Sequence, residues 1–104
     1  MKVVFTSAAS AEEAARIGRT LVEEQLAACV TLIPAVQSIY RWQGAVETAT
    51  ETLLLIKTGP DHVAALEKRL HEMHSYQVPE FLVLDVDAVS SPYLAWLLAS
   101  LRAT

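Results

Sequence analysis

The sequence predicts an α+β fold in which a four-stranded antiparallel sheet carries two helices on one face. Strand-like and helix-like patterns alternate in the order β-α-β-β-α-β, and a further helix-like pattern follows them. No repeat, linker or low-complexity segment interrupts this order. The 104 residues are enough for one hydrophobic core, so residues 1–104 are expected to form a single domain.

The N-terminal part predicts a short strand and a helix. The strand, residues 1–5, is rich in β-forming residues and ends at turn-prone ones. Ser10 and Glu13 fit a capping box, in which the serine oxygen accepts a backbone N–H and the glutamate side chain reaches back. Apolar residues then recur at helical spacing, so we expect a helix over about 11–26.

A strand of unusual length follows, over about residues 28–42. Pro34 lies within it and has no N–H to donate, so the strand is expected to lie at a sheet edge or to carry a bulge. Gly44 belongs to the predicted hairpin turn, and the chain returns over residues 47–58. The Leu-Leu-Leu-Ile run of the return strand indicates that both of its faces are covered.

The C-terminal part predicts a helix, a strand and a last helix. Pro60 starts the second helix, and Pro79 prevents its continuation. The pattern predicts a fourth strand over residues 81–89 and a helix that opens at Ser91. Apolar residues cover most of the circumference of this last helix, which is typical of a buried helix.

The predicted sheet has one uncovered face. Right-handed crossovers place both helices of a ferredoxin-like β-α-β-β-α-β unit on the same side, and its first and third strands are central. The apolar fraction of 53% exceeds the ~45–50% of ordinary soluble chains. We therefore expect several copies to associate and to cover one another's sheets.

Charge and hydropathy argue against several classes of partner and activity. The net charge is −4 and the basic residues are mostly scattered, which disfavours nucleic acid. No apolar run approaches the ~20 residues of a membrane-spanning helix. The apolar stretch at the start is too short for a signal peptide, so we expect a cytoplasmic protein. Glycine-rich phosphate loops, nucleophile elbows and zinc-protease motifs do not occur, so we do not expect an enzyme.

Polar and aromatic side chains near the hairpin and after the second helix form a candidate ligand site. Its members are Lys57, Glu51, Glu80, Tyr76, Tyr40, Trp42 and Trp96. In one interpretation Lys57 lies on the floor of a cleft between subunits and the aromatic side chains wall it. In the other, Lys57 and Glu80 form a structural ion pair, and the aromatic side chains belong to a subunit interface.

His74 and Cys29 are the candidate metal ligands. His74 lies on the apolar stripe of the second helix and is either a ligand or a buried histidine bonded to the backbone. Cys29 is the only thiol, and three copies around a threefold axis would supply most of a tetrahedral site. Alternatively, Cys29 is a small buried apolar residue. Met73 would add a soft thioether or fill the core.

Five spaced motifs give the chain a resemblance to a known family. They are Ala27-Ala28-Cys29-Val30 with Ile33-Pro34, Ser38-x-Tyr40-x-Trp42-x-Gly44, Lys57-Thr58, His74-x-Tyr76-x-x-Pro79-Glu80 and Tyr93-Leu94-x-Trp96-Leu97. Together they resemble the CutA family, whose small members are named for divalent-cation tolerance. The resemblance covers essentially the whole chain. It implies a ferredoxin-like subunit, a homotrimer similar in shape to PII-type signalling trimers, and a link to copper or other divalent metal ions.

The chain departs from the family pattern at three positions. Phe5 stands where some members have a cysteine, and Met73 stands where some have a second histidine. Ser75 replaces the usual proline. A metal site built from these positions would have one thiolate and one imidazole fewer.

The sequence thus indicates a cytoplasmic homotrimer of the CutA type that takes part in divalent metal ion, and especially copper, tolerance. It would bind a metal ion or a small ligand at clefts between subunits. The alternative is a stable trimeric interaction scaffold or a PII-like signalling adaptor without metal binding.

Overall fold

The computed structural model describes residues 1–104 and has the predicted order of elements. These are β1 (Lys2–Ala8), α1 (Ala11–Glu23), β2 (Cys29–Trp42), β3 (Ala45–Thr58), a 3-10 turn (Pro60–His62), α2 (Val63–Met73), β4 (Leu82–Asp85) and α3 (Ser91–Ala99). All strand pairs are antiparallel, in the order β2-β3-β1-β4. The α+β, ferredoxin-like fold class and the central positions of β1 and β3 are therefore confirmed.

Some predicted boundaries are wrong, because pairing and capping override local propensity. β1 is longer than expected, since Thr6 and Ser7 pair with β3. α1 ends at Glu23, because Gln25 takes a φ of 58° and turns the chain out of the helix. β4 ends at Asp85, the last residue in register with β1.

The predicted capping box at the start of α1 is only half formed. The Ser10 hydroxyl oxygen accepts the backbone N–H of Glu13 at 3.1 Å. The Glu13 carboxylate does not close the box. Instead it accepts the N–H and the hydroxyl of Ser75 at 2.8 and 2.9 Å. Glu13 therefore ties α1 to the segment that follows α2.

Pro34 lies both in an edge strand and at a bulge, so both expectations for it hold. The register of β2 against β3 shifts between Ile33 and Val36. Ala35, inside this shift, has a φ of 59°. That conformation is costly for alanine, because its Cβ crowds the following carbonyl.

Replacing Ala35 with glycine is expected to raise the free energy of unfolding by about 1 kcal/mol, because glycine adopts this φ without steric cost. Denaturant unfolding measures the change. Ala49→Gly, at a strand position outside the positive-φ set, should instead lower stability. A lower unfolding midpoint for Ala35→Gly than for the wild type would contradict the expectation.

The two faces of the sheet differ in what covers them. One face packs against α1 and α2. The hydrophobic core between this face and the helices consists mainly of Val4, Leu54, Ile56, Ile17, Leu21, Leu66 and Leu70. Side chains alternate along strands, so the intervening residues lie on the opposite face. We call this the open face; it includes Phe5, Thr31, Ile33, Leu55, Leu82 and Leu84. Leu82 is 52% exposed and Leu84 is 44% exposed, so the open face lacks full cover within one chain.

Two further elements, the distal hairpin and α3, expose apolar side chains outside the core. The distal half of the β2–β3 hairpin leaves Ile39 and Val46 largely exposed. α3 buries Leu97 fully but leaves Trp96 and Leu98 about half exposed, so the expected burial of this helix is not reached within one chain. None of the helices has the length and apolar character that a membrane crossing requires.

Candidate functional site

A cleft opens where the β2–β3 hairpin leaves the sheet. It lies between the hairpin and the segment that follows α2, and its volume is about 990 Å³. Tyr40, Trp42, Tyr76 and Glu80 all line it, so the fold brings together these members of the predicted ligand site. Small-molecule sites span about 300–1,000 Å³, and this cleft is at the upper end of that range. We refer to it as the hairpin cleft.

Glu51 is the most buried charged group of the hairpin cleft, with only 7% of its surface exposed. It accepts hydrogen bonds from the hydroxyls of Tyr76 at 2.6 Å and Ser7 at 3.3 Å. Burial by itself raises the pKa of this carboxyl. The hydroxyl donors of Ser38, Tyr76 and Ser7 outweigh burial and hold the pKa below its ordinary value. The cleft therefore has a fixed negative charge at neutral pH.

Two neighbouring groups respond to that charge. Partial burial and then the charge of Glu51 raise the pKa of Glu80. Burial and the hydrogen bond to Glu51 raise the pKa of Tyr76, so its phenol stays protonated and remains a donor. No lysine, arginine or histidine lines the cleft. Its negative charge therefore has no basic counterpart among the lining residues.

His74 packs against Tyr76, with the ring centroids 4.8 Å apart, and its side chain is fully buried. Its Nε2 donates to the carbonyl of Ser7 at 2.7 Å, and its Nδ1 accepts the N–H of Tyr76 at 3.0 Å. These two bonds fix the neutral tautomer with the proton on Nε2. His74 is thus the backbone-bonded histidine that was the alternative to a metal ligand.

Lys57 and Cys29 lie far from the hairpin cleft. They are cross-strand partners near the opposite end of β3, and the Lys57 Nζ contacts the Thr31 hydroxyl and the Cys29 Sγ. Lys57 and Glu51 are separated by about 20 Å of extended strand. Within one chain, Lys57 therefore lies neither on the floor of the hairpin cleft nor beside Glu80.

The metal site implied by the resemblance is not assembled within one chain. His74 bonds to the C-terminal end of β1, whereas Cys29 lies beside Lys57. No three histidine, cysteine, aspartate or glutamate side chains come together to hold a metal ion. Met73 packs against the core. Within one chain, His74, Cys29 and Met73 therefore do not come together as a soft-metal site. The cleft carboxylates offer oxygen donors, which suit harder cations.

Ser7 and Ser38 line the hairpin cleft although neither was predicted to. Ser7 was expected in a turn after a shorter β1. The alternation of side chains along the strand could have identified Ser38, because it shares a strand face with Tyr40 and Trp42. Trp96, predicted either to wall the cleft or to belong to a subunit interface, does not line the hairpin cleft within one chain. It lies on α3 and packs against Tyr93, with the ring centroids 5.4 Å apart.

Comparison with known proteins finds relatives over nearly the whole chain. The model of the CutA1 divalent ion tolerance protein family matches residues 2–100. The divalent-cation tolerance protein CutA of Pectobacterium atrosepticum is 44% identical over 100 residues. This match covers 96% of this chain and 91% of that protein.

Solved structures have the same fold. CutA from Xylella fastidiosa superposes with a TM-score of 0.95 at 40% identity, covering 97% of each chain. The structure described as the periplasmic divalent cation tolerance protein CutA from Archaeoglobus fulgidus superposes with a TM-score of 0.94 at 32% identity. That match covers 98% of this chain and 100% of that one. The residues of all five sequence motifs lie within the range that the family model matches.

Proposed function

The chain belongs to the CutA1 divalent ion tolerance family, as its motifs predicted, and on that premise we propose that it binds a cationic ligand in the hairpin cleft. The ligand is a divalent metal ion or a small organic cation. The working form is a homotrimer in which neighbouring copies cover the open faces and border the clefts. Copper is the metal that the resemblance suggests, but the oxygen donors of the cleft favour harder ions such as Mn²⁺. The role is one of binding rather than catalysis.

One observation carries this proposal: two carboxylates, Glu51 and Glu80, line the cleft and no basic side chain does. Partial burial raises the pKa of Glu80, and the charge of Glu51 raises it further, so the two carboxylates disfavour each other's ionised form. A bound cation removes this repulsion by neutralising both groups. Tyr40 and Trp42 add aromatic faces, which also attract cations.

Replacing Glu80 with glutamine is expected to weaken cation binding about tenfold, a change of ~1.4 kcal/mol. The amide keeps the shape of the side chain but removes one of the two negative charges. Calorimetric titration of the purified protein with MnCl₂, ZnCl₂, CuSO₄ and a linear diamine measures the affinities and separates metal ions from organic cations.

The matched control for this experiment is Glu12→Gln, which removes an exposed carboxylate from the first turn of α1. It should bind each cation as the wild type does. The proposal fails if the wild type binds none of the four probes, or if Glu80→Gln and Glu12→Gln bind them equally well.

A second candidate function is that of a trimeric interaction scaffold or PII-like signalling adaptor without metal binding. The exposed apolar side chains of the distal hairpin favour it, since Ile39 remains 71% exposed. A purified partner that binds the wild type, but not a variant whose hairpin turn 42–47 is replaced, would support this candidate. Cation binding that depends on Glu80 would instead support the first.

The proposed compartment is the cytoplasm. Cys29 is a free thiol, which suits a reducing environment. The Archaeoglobus fulgidus relative is described as periplasmic, so fractionation of cells that express this chain is the direct measurement.

A further inference from the structure

The segment of residues 74–76, directly after α2, is tied to three separate elements of the fold. His74 holds it to β1 through the carbonyl of Ser7, at 2.7 Å. Ser75 holds it to α1, because its N–H and its hydroxyl both donate to the Glu13 carboxylate. The Tyr76 hydroxyl holds it to β3 by donating to Glu51 at 2.6 Å.

The His74 side chain also makes a hydrogen bond within the segment itself. Its Nδ1 accepts the N–H of Tyr76 at 3.0 Å, so the ring joins β1 to the backbone of the residue that reaches into the cleft. Its side chain is fully buried, and water has no access to replace either bond. The neighbouring charged or titratable groups are Glu13 on α1, Glu51 on β3 and Tyr76 itself.

We propose that His74 is a positioning residue, the centre of a clasp formed by residues 74–76, and that it sets the geometry of Glu51 in the hairpin cleft through Tyr76. The clasp closes only if the three anchors on β1, α1 and β3 are satisfied together. Loss of His74 therefore loosens Ser75 as well, although the partner of Ser75 is Glu13 and is left in place. This cooperative behaviour is what separates a clasp from an ordinary buried side chain.

The variants follow from the two ring nitrogens. His74→Ala removes both hydrogen bonds. His74→Asn places an amide oxygen near the position of Nδ1, so it keeps an acceptor for the Tyr76 N–H. Leu70→Ala is the matched control, because the Leu70 side chain is fully buried in the preceding turn of α2 and makes none of the clasp's contacts. The Leu70 carbonyl accepts the N–H of His74, and the substitution leaves that backbone bond in place.

Two measurements test the proposal, and only the second rests on the proposed function. Amide hydrogen exchange should become at least tenfold faster at Ser75 and Tyr76 in His74→Ala, and His74→Asn should restore much of the protection at Tyr76. Mn²⁺ affinity should fall in His74→Ala and recover in part in His74→Asn. Leu70→Ala should lose overall stability without a selective change at either amide or in affinity.

Several results would overturn the clasp. One is a Ser75 amide that exchanges equally slowly in the wild type and in His74→Ala. Another is selective loosening of Ser75 and Tyr76 by Leu70→Ala to the same extent. A third is unchanged Mn²⁺ affinity in His74→Ala. If the wild type itself binds no cation, the proposed cleft function fails, while the exchange measurement still decides whether the clasp exists.

Discussion

Replacing Leu55 with glutamate is expected to dissociate the proposed trimer into 11.4 kDa chains. Leu55 lies on the central strand β3, on the open face, with Phe5 and Thr31 as its cross-strand neighbours. In a trimer that covers this face, the new carboxylate would be buried without a partner, at a cost of roughly 3–5 kcal/mol per chain. Light scattering over a range of concentrations measures the mass directly.

The control for this substitution adds the same charge where no neighbour is expected. Ala64 lies on the exposed side of α2, so Ala64→Glu should leave the mass of the assembly unchanged. A wild-type protein that scatters as an 11.4 kDa monomer at every concentration would refute the expectation and the proposed association of the open faces.

Replacing Glu13 with alanine is expected to lower the free energy of unfolding by about 2 kcal/mol at pH 7. The carboxylate is 9% exposed and accepts both the N–H and the hydroxyl of Ser75, so its removal leaves two donors without a protein acceptor. Denaturant unfolding measures the loss. Glu12→Ala, at the exposed neighbouring position of the same turn, should change stability by much less.

The effect of Glu13 should depend on pH in a defined direction. Burial pushes the pKa of this carboxyl upward, but the N–H and hydroxyl of Ser75 outweigh burial and hold the pKa below 4.5. A carboxyl with a lowered pKa in the folded state contributes its full stability above about pH 4.5 and loses it as pH falls through the folded value. The difference between the wild type and Glu13→Ala should therefore shrink between pH 7 and pH 3. A difference that stays constant would show that the charge of Glu13 is not what binds Ser75.

Part of the candidate site could be predicted from the sequence of the hairpin and of the segment after α2. Tyr40 and Trp42 alternate on one face of β2, and Tyr76 and Glu80 lie close together in the chain, so their convergence needed only the hairpin to be recognised. Lys57 does not join the hairpin cleft within one chain, because distance along β3 matters as much as the shared face. Lys57 and Glu51 lie on the same side of that strand, yet about 20 Å of extended chain separates them.

Sequence by itself determined the order of the elements, the central strands, an edge or bulge at Pro34 and the presence of a surplus of apolar surface. These features depend on local periodicity, on the missing N–H of a proline, on the handedness of crossovers and on overall composition. None of them requires knowing which side chains meet in space. The family was likewise determined at this level, because its motifs are spaced strings of residues.

Only the tertiary structure decided which partners the polar side chains take. Glu13 bonds to Ser75 rather than to its own helix start, and His74 bonds to Ser7 and Tyr76 rather than remaining free to hold a metal ion. These pairs depend on where β1 ends and on its register with β3, which places Ser7 beside Glu51. Register is set by packing across the whole sheet, and a shift of one residue reverses the face of every side chain, so no local pattern contains that information.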